Sequence, residues 1–413
     1  MLLERVAQVR EIAIRRGTFQ GAEVMQAKKT VLIYRKELLP LSETFIKEQI
    51  LALKNWRAVL VGQRLVNQLP LDTLDVRIVG PQQRSNFANG LLWKARRALG
   101  IVPPGVTRGL NAENPQLIHA HFGMDALDAW PLARALNLPM LVTLHGYDIN
   151  THRDWWEAGN AGILMRLYPR LLLRLARQPR VRFIAVSEAL RQRAVEFGIP
   201  ADKIAVNYIG IDTRKFVPGA VQISQRAPRV LFVGRLVEKK GCQYLIEAMA
   251  QVQKTVPSAR LIVIGDGPLR SSLEQLAQDH GLLVEFRGAL PNTEVKIELD
   301  AARVFCLPSV TAENGDAEGL PISILEAQAS GVPVVTSARG GVGEAVKDGI
   351  TGFTFPERDV DQLASGLIRI LASDQLADEI SSASVRSAAM SFDIGLLTTH
   401  LEASYEGATR FGR

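Results

Sequence analysis

Two glutamates, Glu318 and Glu326, stand eight positions apart in the segment EGLPISILEA, with an almost wholly apolar filler between them. Glu326 falls inside a run that otherwise reads as core, and a buried carboxylate needs a partner. Nothing near it in sequence supplies one, which points to a bound molecule; the plain alternative is an exposed helix position, where most helical glutamates sit. Carboxylates accept hydrogen bonds from hydroxyls, so the pair suits a sugar ring and a ribose. Arg235 and Lys240 lie five apart at the start of another helical pattern, beside Gly241. Two cations next to free helix N–H groups make a seat for a diphosphate; they also read as surface cations on a loop. Asp266-Gly267-Pro268 is a tight turn that lets a ligand approach the backbone. His145 closes a strand pattern in VTLHGYD, ahead of Gly146 and Asp148, where a histidine can serve as acid, base or electrostatic group. His119 and His121 share one face of LIHAHFG. These three histidines form no close-spaced ligand pair, so no metal site is expected, and His119 reads as structural. Ser187 ends FIAVS and either reaches the same region or caps the next helix. Ser42 in PLSETFI is placed to cap a helix, with Glu43 beside it.

Nearly all of these residues follow apolar runs. The second half holds RVLFVGR, ARLIVIG, VEFRG, VFCLPS and VPVVTS; the first holds TVLIYRK, AVLVG, VRIVG, LIHAHF, MLVTLHG, RFIAVS and KIAVNYIG. Near-continuous apolar strands alternating with amphipathic helices predict parallel sheets covered on both faces. The period breaks over residues 215–229, KFVPGAVQISQRAPR. The expected fold class is α/β: two doubly wound Rossmann-like domains, 1–217 and 218–392, facing across a cleft. Residues 393–413 are expected to form a C-terminal helix that packs back on the first domain. Residues 1–28 are expected as a helical extension outside this scheme, with Met25 a candidate alternative start. Ligands of such sheets sit at the carboxyl ends of the strands, which is where the candidates fall.

The chain of 413 residues has no apolar stretch of the roughly 20 residues that span a bilayer. Its charged N-terminus lacks the apolar region of a secretory signal, and its two cysteines, Cys242 and Cys306, sit in apolar segments as inert thiols. A cytoplasmic protein is expected. The net charge of +7 divides into +13 over residues 1–217 and −6 over the rest. A basic half predicts an anionic partner. Nucleic acid is not expected, because there is no helix-turn-helix and no basic platform interleaved with aromatics. Arg166, Arg170, Arg174 and Arg177 recur at helical spacing among leucines, and LLWKARRALG (91–100) is a second basic-apolar patch. Both suit an anionic inner leaflet; for 166–177 an ordinary domain helix with leucines inside reads equally well.

In order and spacing, VGRLVEKKG, VIGDGPL, the Glu-x7-Glu of EGLPISILEAQASGVPVV, VTLHGYD, IAVSEAL and YIGIDTRKF resemble the retaining GT-B glycosyltransferases of glycosyltransferase family 4. PLSETFI with LPSVTAENGDAEG looks like the subgroup that assembles bacterial exopolysaccharides such as colanic acid. The resemblance covers residues from about 30 to 405. It implies transfer of a hexose from a UDP- or GDP-linked donor to a glycan or polyprenyl-diphosphate-linked acceptor, with retained configuration and no resident metal or other cofactor. It implies that Arg235 and Lys240 hold the diphosphate, with Gly267 on the donor side and the Gly319 and Leu320 N–H groups near the phosphate. Glu326 is then the ribose ligand, Glu318 the hexose ligand, and His145 the group facing the reacting sugar. Ser42, Glu43, Asp148 and Ser187 are the acceptor-side candidates. Two features depart from the family. ELLPLSET stands where a Gly-Gly loop is frequent, leaving acceptor contacts there open. Gly343 stands where Pro is usual in GGVGEAV (340–346), so a looser loop is expected around Glu344. A nucleotide-sugar epimerase of the same fold and a non-catalytic sugar-nucleotide binder are the alternatives.

Overall fold

The computed structural model describes residues 28–40, 43–65, 69–80, 100–337 and 339–410, and the statements below refer to these. The proposed N-terminal extension, Ser42 and residues 91–99 of the second basic patch lie outside the described residues. The first nine strands are β1 (Lys29–Tyr34), β2 (Glu37–Leu38), β3 (Trp56–Gly62), β4 (Arg64–Leu65), β5 (Val76–Ile78), β6 (Pro115–His121), β7 (Met140–Leu144), β8 (Val181–Ala185) and β9 (Ile204–Val206). Six more follow: β10 (Arg229–Val233), β11 (Arg260–Ile264), β12 (Val284–Gly288), β13 (Val304–Leu307), β14 (Val334–Ser337) and β15 (Gly352–Phe355). One sheet runs β5-β3-β1-β6-β7-β8-β9 and the other β12-β11-β10-β13-β14-β15; β2 and β4 pair by themselves.

Neighbouring strands are parallel throughout. Central strands are buried at every position in β7, β13 and β14, because helices cover both faces of each sheet. Strand order reverses between β1 and β6, and again between β10 and β13, so each sheet has its ligand-binding switch point there. Between the sheets, residues 207–228 carry no strand. β15 was not predicted: GFTF is four residues long and opens on a glycine, too little pattern to separate it from a turn.

The last helix, Ile394–Arg410, returns to the first sheet. Leu401, Tyr405 and Ala408 pack into one core cluster with Val31, Ile33, Trp56 and Leu117. The buried Glu402 carboxylate accepts from the N–H groups of Lys54, Asn55 and Trp56 at 2.8, 2.7 and 3.1 Å, which secures the turn into β3. Backbone bonds from Ile211 N to Phe392 O and from Ile394 N to Ile211 O, both 2.9 Å, join the crossing point to the linker. Among the described residues no helix is long and apolar enough to cross a membrane.

Candidate functional site

Because β10 and β13 are neighbours, the turn after one faces the loop after the other. The first carries Arg235 and Lys240, the second Glu318. Lys240 Nζ lies 2.8 Å from Glu318 Oε1, with both side chains nearly buried. Beside them Lys239 Nζ lies 3.0 Å from Asp316 Oδ2. Burial alone pushes the Glu318 carboxyl up, but Lys240, Lys239 and Arg235 outweigh it and hold the group below its ordinary value. The Arg235 side chain is exposed and its guanidinium bonds to no described residue. Helix Ile322–Ala329 starts just after Glu318, and the N–H groups of Gly319 and Leu320 have no acceptor among the described residues. Lys239, Lys240 and Arg235 together with these N–H groups bring positive charge around Glu318, an arrangement able to receive an anion. Lys239 and Asp316 were missed in the sequence; the adjacent cation in EKK was the available signal.

Gly267 closes the turn after β11. A Cβ there would stand 2.4 Å from Leu236 O, and its N–H donates to Asp266 Oδ1 at 2.7 Å. The structure therefore shows a glycine that lets this turn pack under the loop holding Arg235.

Glu326 lies in helix Ile322–Ala329 and is buried. Its carboxylate makes no hydrogen bond to a described residue. It lines a crevice of about 20 Å³ between the domains with Thr44, Glu48, Lys215, Asn292 and Ile322. Burial pushes its carboxyl up to about 7, with Lys215 drawing it down and Glu48 adding to the rise.

His145 follows β7 on the opposite wall. Gly319 meets its backbone so closely that a Cβ on Gly319 would sit 2.3 Å from His145 O. Gly146, at φ 127°, faces Ala317 O and Gly319 N across the same contact. The two domains thus touch backbone to backbone at the residues flanking Glu318. Burial, reinforced by Arg35 and His119, holds the His145 imidazole well below its ordinary pKa, so it is neutral.

Of the acceptor-side candidates, Glu43, Asp148 and Ser187 are described, and each is held by contacts within the protein. Asp148 is fully buried, and its carboxylate accepts from Gly123 N, His145 N and Gly146 N at 3.0, 3.2 and 3.0 Å. It builds the turn that carries His145 instead of facing a substrate. Glu43 precedes helix Thr44–Leu51 at its N-cap position, without a side-chain cap bond. The Glu43 carboxylate is gripped by Arg35 through Nε at 2.8 Å and Nη2 at 2.5 Å, while Arg35 Nη1 reaches Asp125 Oδ2 at 2.5 Å. This buried cluster was not legible from the sequence. Ser187 does both things considered for it: Oγ accepts from Leu190 N and donates to Gly319 O, each at 3.1 Å.

Against known proteins, residues 214–386 match the family described as "Glycosyl transferases group 1" and residues 63–215 the one described as "Glycosyltransferase Family 4". Amylovoran biosynthesis glycosyltransferase AmsK of Erwinia amylovora is 30% identical over 321 residues, covering 77% of this chain and 74% of AmsK. The chain belongs to the family 4 glycosyltransferases. WcaL of Escherichia coli K12, named for colanic acid biosynthesis, is 37% identical over 204 residues, 48% of this chain. That match spans half the length of WcaL. HepE of Anabaena, solved in complex with UDP, shares the GT-B fold with a TM-score of 0.72 at 20% identity, covering 92% of this chain and all of that one. The family loop at Gly343, expected to be loose, is pinned. Glu344 accepts from Glu188 N and Ala189 N at 2.9 Å each and from the Tyr208 hydroxyl at 2.8 Å. Its charge also sits at the positive end of helix Glu188–Phe197.

Proposed function

We propose that this protein is a retaining hexosyltransferase that uses a nucleotide diphosphate sugar to extend an exopolysaccharide, with the growing glycan carried on a polyprenyl-diphosphate lipid. The observation that carries the reading is the nearly buried Lys240–Glu318 pair beside unbonded N–H groups, with the partnerless Glu326 in the helix that follows. In this reading the donor diphosphate takes Lys240 and Arg235, which frees Glu318 for the hexose hydroxyls, and Glu326 holds the ribose. His145, neutral, faces the sugar from the other wall. No resident metal or other cofactor enters the scheme. The names of AmsK and WcaL support the product class, and UDP in HepE supports the donor class. The test is a screen of UDP- and GDP-hexoses with purified protein and a membrane lipid extract. Nucleoside diphosphate release with hexose entering the lipid fraction is expected, and proton NMR of the new anomeric centre reads retention. A screen in which no donor is consumed ends the transferase reading.

Arg235→Ala and Lys240→Ala each weaken binding of the free nucleoside diphosphate about ten- to a hundredfold, the value of a charge-assisted contact of roughly 1.5–3 kcal/mol. The nucleoside alone binds almost as before. Calorimetry with both ligands checks this, and equal losses for the two would contradict the assignment.

Membrane contact belongs to the same proposal. Helix Tyr168–Ala176 starts with Pro169 in its first turn and buries Tyr168, Leu172 and Leu175. Ile163 and Leu164, 72% and 85% exposed, with Leu167 and Leu171 also exposed, form an outward apolar row beside exposed Arg166, Arg170 and Arg174. Arg166 Nε bonds Glu157 O at 2.8 Å, and His152 N, just before the same short helix, bonds Asn314 O at 2.8 Å. Each basic residue near an anionic leaflet contributes about 1 kcal/mol, and the apolar row adds insertion. We place the protein at the cytoplasmic face on this basis. Co-sedimentation with phosphatidylglycerol vesicles at low salt is expected, with release by added salt and loss in Leu164→Asp/Arg174→Glu. Protein left in the supernatant at low salt would remove the membrane proposal and leave sugar transfer standing.

A further inference from the structure

His119 and His121 have no part in the scheme above, yet the structure joins both to His145. β6 lies against β7 with His119 opposite Leu141 and His121 opposite Thr143. The rings of His119 and His121 stand 4.4 Å apart, centre to centre. Those of His121 and His145 are 5.3 Å apart and nearly parallel, with His121 Nδ1 3.0 Å from His145 Nε2. This is the only polar contact of the His145 ring among the described residues; its other ring neighbours are Phe45 and Phe122, at 5.1 and 4.4 Å. His145 Nδ1 and His121 Nε2 are both buried without a partner. Neither carboxylate nor backbone carbonyl orients the His145 ring, the usual arrangement for a functional histidine. The far end of the row is fixed: His119 Nδ1 lies 2.8 Å from the Tyr405 hydroxyl and its Nε2 2.7 Å from Thr143 Oγ1. Phe122, at φ 70°, occupies a region that L side chains seldom adopt, and its ring lies against both His145 and the Arg35 guanidinium.

We propose that His121 is a positioning residue that sets the ring plane and the tautomer of His145. The proposal rests on the reading that His145 faces the reacting sugar. One hydrogen occupies the contact between two neutral rings. If His121 Nδ1 carries it, His145 Nε2 accepts and the His145 proton resides on Nδ1. If His145 Nε2 carries it, Nδ1 is left as an acceptor. The two rings change together, so His121 governs whether the remaining nitrogen of His145 donates or accepts. The C-terminal helix, through Tyr405 and His119, holds the row in place.

The test uses the full chain labelled with ¹⁵N-histidine, which has six histidines to assign. Long-range ¹H–¹⁵N correlation is expected to show one tautomer for His145. His121→Phe keeps a ring in the row but removes Nδ1, and the His145 nitrogens should then move to averaged shifts. His121→Asn, whose amide reaches the Nδ1 position, should restore the single tautomer. Kinetically, His121→Phe lowers kcat about ten- to a hundredfold with donor KM within about threefold, and adds nothing further in a His145→Ala background. Unchanged His145 shifts in His121→Phe, or equal kinetic loss in both backgrounds, would overturn the proposal. If the shifts move while no donor supports transfer, the functional reading fails and the positioning role stands.

Discussion

His145→Ala is expected to lower turnover about a hundred- to a thousandfold, the scale of removing one preorganised group at a reacting centre, with donor affinity changed by no more than about threefold. The reasons are local. The diphosphate and ribose contacts proposed above lie on the other domain, on Arg235, Lys240 and Glu326, and none touches the His145 ring. The turn that carries His145 is built by Asp148, which accepts from three backbone N–H groups, and by Tyr168, whose hydroxyl donates to Asp148 O at 2.8 Å. None of these bonds uses the His145 side chain, so the alanine variant keeps the wall of the cleft. A group that acts only when charge develops in the transition state lowers kcat without weakening ground-state binding. The imidazole is neutral through the physiological range, so its own titration should leave no step in the rate profile between pH 6 and 8. Turnover and donor Kd measured on the folded variant check this. Full turnover would make His145 structural.

Glu326 should separate stability from binding. Its carboxyl is raised to about 7 from an ordinary 4.5, chiefly by burial. The sign follows from which state binds the proton more tightly. The folded state does, so this group's contribution to stability is complete below about pH 4.5 and is lost as pH rises toward 7. Glu326→Gln keeps the shape without the ionisation. Its stability relative to the native protein should therefore rise across that window, by on the order of 2–3 kcal/mol. Donor affinity should move the other way. Glu326→Ala loses hydrogen bonds to a charged acceptor, about 1.5–3 kcal/mol or ten- to a hundredfold in Kd. Denaturant titration at pH 4.5 and 8, with calorimetry of nucleotide-sugar binding, checks both halves. A residue that costs stability when charged and serves a ligand is the expected signature of a site. Unchanged donor binding in the folded alanine variant would remove the ribose assignment.

What the sequence by itself determined was the alternation of strand and helix and the two-domain α/β class. Strands such as VFCL and VVTS are buried on both faces, so their composition declares them without reference to neighbours. Glu326 was legible for the converse reason: a carboxylate among Ile, Leu and Ala contradicts its surroundings unless something binds it. Arg235, Lys240 and Glu318 stood out as candidates because each lies in the connection between a strand and the helix that follows it. What only the tertiary structure decided is which of these groups meet. The Lys240–Glu318 pair exists because β10 and β13 are neighbours, and local pattern does not encode strand order. Asp148 and Glu43 look, in sequence, like any carboxylate in a loop after a strand. Their fates as an acceptor of backbone N–H groups and a partner of Arg35 depend on where distant backbone and side chains arrive. Glu402 reaches Trp56 across 346 positions, and the row from Tyr405 through His119 and His121 to His145 spans both ends of the chain. Such contacts follow from the packing of a helix on a sheet, where burial makes each unpaired polar atom costly enough to select its partner.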